Sequence, residues 1–362
     1  MKTKLVYVLT SEVEQNYIEQ ALLSVFTARY YNPDACIVLI TDDRTNELLK
    51  GQRGEILDYI SEKIVVPLPE EMSVMLRSRQ LKTSVRNLIE GDFLFIDCDT
   101  LITRPLNEID NFPFEMGAVL ESHLPIGLFI NSLYEKVEKN ARLLGWSIQN
   151  EKNYFNSGVI YVKDTPNNQL FYDKWNFFWK EGIKKEVMID QPSFAKTNIE
   201  FGYPVQQLND RWNCVMYTHP LFDREAYILH FCSFRRNMSY IFGEKFLEKI
   251  RQQGVKDNAF VQYSILHPYY SYLPFENAIY RYKSKDYIRM TKEIRQTAKL
   301  LKENLDFDDY IPSAGIYRHA EKCFKNKRYF LGSLIITLYK FYRVKFDKKF
   351  QYVENTCAID NF

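Results

Sequence analysis

Short apolar runs alternate with amphipathic segments through the first part of the chain. Buried strands are predicted at 5–9, 35–40, 63–66 and 93–96. Helices are predicted at 14–30, 47–60 and 79–89. Continuous apolar strands that alternate with helices indicate a parallel sheet covered on both faces, so the predicted fold class is α/β. Right-handed crossovers then place the carboxyl ends of the strands along one edge, where ligands bind.

The pattern changes further along the chain. Later strands are predicted at 117–120, 157–162 and 227–231, with an aromatic-rich helix at 170–180. After about residue 245, basic and aromatic helical patterns follow at 286–304 and 314–340. These features predict an α/β domain over 1–245 and an α-helical extension over 246–362.

Composition and charge exclude several classes of protein. The 362 residues contain 48 Lys and Arg against 46 Asp and Glu, and this balance argues against a nucleic-acid binder. The six cysteines form no C-x-x-C pair, which argues against a zinc ribbon or a redox motif. The first residues are too polar for a signal peptide, and the sequence has no run of 18 apolar residues. We therefore expect a cytoplasmic protein.

Two carboxylates follow the fourth predicted strand directly. Asp97 and Asp99 are separated by one residue, and in an extended chain such side chains point to the same side. Two acidic groups placed close together repel each other unless a cation lies between them. A divalent metal site is the favoured interpretation. The alternative is that one aspartate caps the turn while the other is solvated.

A histidine lies within the last apolar strand pattern. A lone histidine such as His230 in this setting is more often a core residue whose polar atoms are satisfied. If it joins Asp97 and Asp99, it adds a nitrogen ligand and shifts the preference from Mg²⁺ toward Mn²⁺.

Two polar segments are candidates for a binding pocket. Asn156 and Ser157 lie where the chain enters a predicted strand, and they form either a simple polar turn or a pocket group that recognises hydroxyls. Asp190 and Gln191 precede Pro192, which is typical of a helix start, so capping is the alternative to a functional role.

Basic residues precede the strand that leads into Asp97 and Asp99, which form a D-x-D motif. Arg79, Lys82 and Arg86 are spaced three and four residues apart, so they share one face of the predicted helix, and Arg77 lies nearby. A solvated basic face and a phosphate-binding face are both compatible with this spacing. The sequence has neither a Walker A motif nor a G-x-G-x-x-G motif.

Taken in order, these motifs resemble those of the retaining GT-A glycosyltransferases that include glycogenin and the bacterial lipopolysaccharide galactosyl- and glucosyltransferases. The resemblance covers about the first 245 residues. The matching segments are LVYVLTSE (5–12), SRQLKT (78–83), LFIDCDTLI (94–102), FNSGV (155–159), Asp190-Gln191 and ILHF (228–231).

The resemblance implies transfer of a hexose, with retention, from a nucleotide diphosphate sugar such as a UDP-hexose to a glycan or lipid-linked acceptor. A role in bacterial-type surface polysaccharide or lipopolysaccharide synthesis follows from it. The metal, Mn²⁺ or Mg²⁺, would be held by Asp97, Asp99 and His230. The donor would be bound by Thr10, Arg79, Lys82, Asp97, Asn156 and Ser157. Asp190 and Gln191 would lie at the reacting face of the sugar.

The match is incomplete after the histidine. The family often has a glycine and a diphosphate-binding lysine there, whereas this chain has Arg235 and Arg236.

Two other functions stay open. A nucleotidyltransferase usually has a Gly-rich basic loop after the first strand, but residues 10–14 here are acidic and Gly-free. An inactive carbohydrate-binding or scaffold relative is the non-enzymatic alternative.

The segment 329–349 mixes aromatic, aliphatic and basic residues. It predicts either a helix packed on the main domain or a peripheral contact with an anionic membrane surface.

Overall fold

The computed structural model describes residues 1–215, 225–232 and 239–268, together with Cys323 and Asn326. The chain divides into two compact units, Met1–His230 and a second unit that begins at Phe231. Within the described part of the second unit are α8 and α9, Glu244–Gln253 and Ala259–Leu266. The domain boundary expected near residue 245 and the helices expected at 286–304 and 314–340 stay predictions, because the two helices lie outside the described residues.

The first unit is built on a seven-stranded sheet and a small three-stranded sheet. The strands of the two sheets are β1 Lys4–Leu9, β2 Ile37–Asp42, β3 Glu62–Val66, β4 Phe93–Ile96, β5 Thr100–Ile102, β6 Met116–Leu120, β7 Phe155–Val162, β8 Val205–Gln207, β9 Cys214–Val215 and β10 Ile228–His230. The large sheet has the order β3-β2-β1-β4-β7-β6-β8. The small sheet has the order β5-β10-β9.

Seven α-helices accompany these strands in the described residues of the first unit. They are α1 Tyr17–Tyr31, α2 Asp43–Leu48, α3 Val74–Lys82, α4 Val85–Leu88, α5 Asn131–Leu143, α6 Pro166–Ile183 and α7 Gln191–Glu200. Short 3₁₀ turns occupy Gly51–Asp58, Asn107–Asn111, Glu121–His123, Ile126–Leu128 and Asp210–Asn213. No helix in the described ranges is long and apolar enough to cross a bilayer.

The core lies between the large sheet and its helices. Every residue of β2, β4, β6 and β7 is buried, as expected for strands covered on both faces. Trp175 of α6 is fully buried and packs edge-to-face on Phe194 of α7, with ring centroids 4.8 Å apart. Burial of each large apolar side chain contributes about 1.5–3 kcal/mol, so this core stabilises the strand ends that carry the site.

The α/β class is confirmed, and so is the parallel sheet predicted for the first four strands. Strands β1 to β4 are parallel as predicted, whereas β7 runs antiparallel to both β4 and β6. The reversal brings the start of β7 next to the end of β4, because Ile96 pairs with Val159. Residues 155–158 therefore lie beside the D-x-D turn.

Two predicted helices are wrong in extent. The segment 47–60 is not one helix: α2 ends at Leu48, and Gly51 then adopts a left-handed φ of 58°. The segment 79–89 is also divided, because α3 begins earlier at Val74 and ends at Lys82, and only a single turn follows as α4. The end of α3 at Lys82 places Arg86 on a different element from Arg79.

Candidate active site

The D-x-D residues lie in a tight turn between β4 and β5. The N–H of Asp97 donates to the carbonyl of Gly158 at 2.7 Å, and the Thr100 hydroxyl donates back to the carbonyl of Asp97 at 2.9 Å. The extended geometry assumed from the i, i+2 spacing is wrong. The turn itself brings the two carboxylates to the same place, at the carboxyl end of the sheet.

The small sheet brings His230 to this turn. Strand β10 pairs with β5 so that His230 lies opposite Thr100, the residue after Asp99. The imidazole Nε2 lies 3.2 Å from Asp99 Oδ1, and the ligand atoms of Asp97, Asp99 and His230 all lie within 4.8 Å of one another. The three residues predicted to hold a metal therefore converge.

A glycine makes room for this group of ligands. A Cβ on Gly158 would collide with the ring of His230 and would lie 2.9 Å from Asp97 Oδ2. The hydrogen-bond partner of the histidine also suits a metal ligand, because its Nδ1 lies 2.9 Å from Oδ1 of Asn213. An Nδ1–H that donates to this oxygen leaves the Nε2 lone pair on the side of the carboxylates. Two carboxylates and this nitrogen form a mixed oxygen and nitrogen ligand set that could hold a divalent cation.

Beside the candidate metal ligands is a group of charged side chains that we call the charged cluster: the buried Lys82 and Asp190 and the half-buried Arg79 and Asp97. Lys82, at the end of α3, is 2% exposed, and its Nζ lies 3.2 Å from Asp97 Oδ1 and 3.3 Å from Asp190 Oδ2. Arg79 Nε lies 2.8 Å from Asp190 Oδ1. Ser157 joins this cluster, because its hydroxyl donates to Asp190 Oδ2 at 2.9 Å.

The two carboxylates of the charged cluster have opposite pKa shifts. Burial raises the pKa of Asp190, but Lys82 and Arg79 outweigh it and lower the pKa to about 2. Burial dominates at Asp97 and raises its pKa, although Lys82 and His230 oppose the shift. Asp190 is therefore ionised whenever the protein is folded near neutral pH. Its side chain makes no capping bond to α7, so the capping interpretation fails for that side chain.

A second group, the amide cluster, consists of Glu121, Asn156, Gln191 and Asn213. The side-chain amides of Asn156 and Gln191 each donate to Glu121 Oε2 at 2.9 Å. Asn213 Nδ2 donates to Asn156 Oδ1 at 2.9 Å, and Asn213 also contacts His230, so the amide cluster extends to one of the candidate metal ligands.

Sequence reasoning missed Glu121 and Asn213. Glu121 directly follows a fully apolar strand, β6, just as Asp97 follows β4. An acidic residue directly after an apolar strand was therefore the sequence feature that could have indicated Glu121. Asn213 ends a short 3₁₀ turn before β9, and no pattern in the sequence marks it.

The remaining basic residues have other partners. Arg77 is fully buried and pairs with Asp42, at the end of β2, and with Glu12. Arg86 lies on α4 and pairs with Asp164, which follows the carboxyl end of β7, so a shared phosphate-binding face for Arg79, Lys82 and Arg86 is wrong. Thr10, at the end of β1, donates its hydroxyl to the carbonyl of Val74 at 2.9 Å. Its donor-binding role stays a prediction. Arg235 and Arg236 lie outside the described residues.

Solved structures similar to this chain are glycosyltransferases. The apo bifunctional glycosyltransferase WbbM is 12% identical over 72% of this chain and 51% of its own, with a TM-score of 0.48. The glycosyltransferase GlyE of Streptococcus pneumoniae TIGR4 is 15% identical over 75% of this chain and 64% of its own, with a TM-score of 0.46. The galactosyltransferase LgtC, in complex with donor and acceptor sugar analogs, is 16% identical over 69% of this chain and 94% of its own, with a TM-score of 0.43.

The chain thus spans about half the length of the WbbM structure. No protein-family model and no curated protein sequence matches the chain. The similar structures are enzymes of the class that the motifs predict.

Proposed function

We propose that the protein is a metal-dependent glycosyltransferase that uses a nucleotide diphosphate sugar, with a UDP-hexose as the expected donor. The observation that carries this proposal is the convergence of Asp97, Asp99 and His230 beside the cations of the charged cluster. A nucleotide diphosphate needs cationic partners as it leaves the sugar. A metal ion held by the three ligands and the basic side chains of the charged cluster would both serve as such partners.

Asp97, Asp99 and His230 would hold the metal, which supplies Lewis-acid stabilisation of the departing diphosphate when bound. Arg79 and Lys82 supply further positive charge from the same side. Both cations already contact Asp190. Donor phosphates would therefore share these cations with Asp190, which keeps the buried lysine paired when the donor is absent.

The sugar side of the site is formed by Asp190, Gln191 and Asn156. Asp190 stays ionised, so it accepts hydrogen bonds from sugar hydroxyls and stabilises positive charge that develops at the anomeric carbon. Gln191 lies next to it at the start of α7. We expect retention by a front-face route, in which the leaving phosphate takes the proton of the acceptor hydroxyl.

The test is Mn²⁺-dependent hydrolysis of a panel of sugar nucleotides. The wild-type protein should hydrolyse at least one of them, and Asp99→Ala should abolish that activity because it removes a ligand that His230 contacts. Asp173→Ala is the matched control, since Asp173 is an exposed α6 residue bonded to Asn87. Full activity of Asp99→Ala would defeat the metal assignment.

The alternatives predict other outcomes. A nucleotidyltransferase would release pyrophosphate from a nucleoside triphosphate and a sugar phosphate. An inactive relative would bind a glycan without hydrolysing any donor. The surface-polysaccharide role, the glycan or lipid-linked acceptor and the membrane contact of the 329–349 segment remain predictions, and that segment lies outside the described residues.

A further inference from the structure

Glu121 is buried where β6 leaves the large sheet. Its side chain is 6% exposed, and its backbone N–H donates to the carbonyl of Tyr154 at 2.7 Å. The pairing register between β6 and β7 shifts between Ala118 and Leu120, just before this residue. Such a shift re-aims the side chains that follow it, here toward the amide cluster.

The turn that holds Glu121 is strained. Ser122 and His123 have left-handed φ values of 56° and 58°, and neither is a glycine. This conformation costs about 1–2 kcal/mol per residue. The far side of the turn is fixed, because the N–H of Val215 donates to Nε2 of the buried His123 at 2.9 Å. Strain of this kind persists where the surroundings enforce a required geometry.

The bonds of Glu121 fix the direction of two amides. Nε2 of Gln191 donates to Oε2 of Glu121 at 2.9 Å, so this contact uses the amino end of the Gln191 amide. Nδ2 of Asn156 donates to the same oxygen. An independent donor requires the same orientation of Asn156, because the N–H of Gly158 lies 2.9 Å from its Oδ1.

We infer that Glu121 is a positioning residue for Gln191, which it orients so that Oε1 is the atom left available to the sugar. The inference rests on the proposed function for the identity of the reaction. Gln191 is partly exposed, and its carbonyl oxygen presents negative charge to an anomeric carbon that becomes positive. A reversed amide would present N–H groups, which oppose that charge.

The competing role is a chemical one, in which the Glu121 carboxylate itself attacks the sugar or takes a proton. Two variants separate the roles. Glu121→Gln keeps an acceptor oxygen for Gln191 and Asn156 and places its new amino group beside the Ser122 hydroxyl, which lies 3.2 Å from Oε1 and accepts as well as donates. Glu121→Met has no acceptor for either amide.

Kinetics of donor hydrolysis give the first readout. Glu121→Gln should keep kcat within about fivefold of wild type, since a neutral acceptor replaces a charged one. Glu121→Met should lower kcat about 100-fold and change the donor KM by less than about threefold, because Gln191 is misoriented and the phosphate contacts remain. Glu115→Gln, an exposed residue at the other end of β6, is the control and should match wild type.

The second readout is the side-chain amide of Gln191 in the free protein, observed by ¹⁵N NMR and assigned by its loss in Gln191→Glu. Its protons should exchange slowly in the wild type and in Glu121→Gln, and rapidly in Glu121→Met. This measurement needs neither donor nor metal. A wild type with a protected amide but no hydrolysis of any donor would support the contact and contradict the proposed function.

Three results would overturn the inference. The first is a Glu121→Gln variant that loses kcat by 100-fold or so, as a chemical role of the carboxylate requires. The second is a folded Glu121→Met variant with wild-type kcat. The third is rapid exchange of the Gln191 amide in the wild type. Glu121→Gln preserves the packing, so the first result stands even if Glu121→Met does not fold.

Discussion

The charged cluster and the amide cluster lie side by side but are held together by different forces. The charged cluster depends on Coulomb attraction between opposite charges, chiefly that of the buried Lys82 for Asp97 and Asp190. The amide cluster depends on the directions of hydrogen bonds, which Glu121 and the N–H of Gly158 determine. Coulomb attraction is strong and depends little on angle, whereas a side-chain amide presents a donor or an acceptor according to its orientation. The charged cluster therefore suits a diphosphate, whose charge is spread over several oxygens, and the amide cluster suits a sugar, whose hydroxyls have defined directions.

The largest effect should come from removing the central cation. Lys82→Ala takes this cation from the buried Asp190 and the half-buried Asp97, and Asp190 keeps only Arg79, so the free energy of unfolding should fall by about 3 kcal/mol. Urea denaturation measures the change. The control is Lys174→Ala, because Lys174 pairs with Glu200 at the surface and such pairs contribute about 1 kcal/mol or less. Equal losses in the two variants would show that the charged cluster is not held by Lys82.

The next effect tests the space that Gly158 leaves for His230 and Asp97. Gly158→Ala adds a methyl group where His230 and Asp97 lie, so Mn²⁺ affinity should fall about 10- to 100-fold, as for other changes that displace metal ligands. Titration followed by the EPR signal of free Mn²⁺ measures it. Gly127→Ala is the matched control, since nothing lies within 4 Å of its added Cβ. Unchanged affinity in Gly158→Ala would contradict the proposed ligand geometry.

A smaller effect should follow from cutting the link between the amide cluster and the metal ligands. Asn213→Ala removes the oxygen that Nδ1 of His230 contacts at 2.9 Å, so the ring loses its fixed orientation and Mn²⁺ affinity should fall about tenfold. The same titration applies, with Asn87→Ala as the exposed control. If both variants bind Mn²⁺ like the wild type, Asn213 does not orient the histidine.

The smallest effect concerns acid stability. The pKa of Asp190 lies at about 2 in the folded protein, below its ordinary value of 3.8. Ionised Asp190 therefore stabilises the folded protein fully above about pH 5, and this stabilisation is lost as the pH falls toward 2. Between pH 5 and pH 3 the stability advantage of the wild type over Asp190→Asn should narrow by about 1 kcal/mol. A difference that does not change over this range would show that the carboxylate is not held ionised by Lys82 and Arg79.

The sequence was most informative where residues next to one another determine structure. Strand β4 has the predicted bounds, and the position of Asp97 and Asp99 directly after it follows from that apolar run. The convergence of His230 with them was an expectation from motif order. It depends on a small sheet of two- and three-residue strands, which are too short to give a periodic signal.

The amide cluster could not be derived in the same way. It joins residues from the ends of β6 and β7, the start of α7 and a 3₁₀ turn before β9. These residues are far apart in the chain, and the sequence pattern predicts no direction for β7, whose antiparallel course brings them together. Polar residues such as Asn213 also occur in ordinary turns, so composition alone does not distinguish them.

The most direct test of the metal-dependent diphosphate site is calorimetric titration of UDP into the full chain, with Mn²⁺ and with a chelator. The site predicts that UDP binds the wild type in the presence of Mn²⁺, and that binding is lost with the chelator and in Asp99→Ala. UDP binding of equal strength in all three conditions, or no binding to the wild type with Mn²⁺, would contradict it.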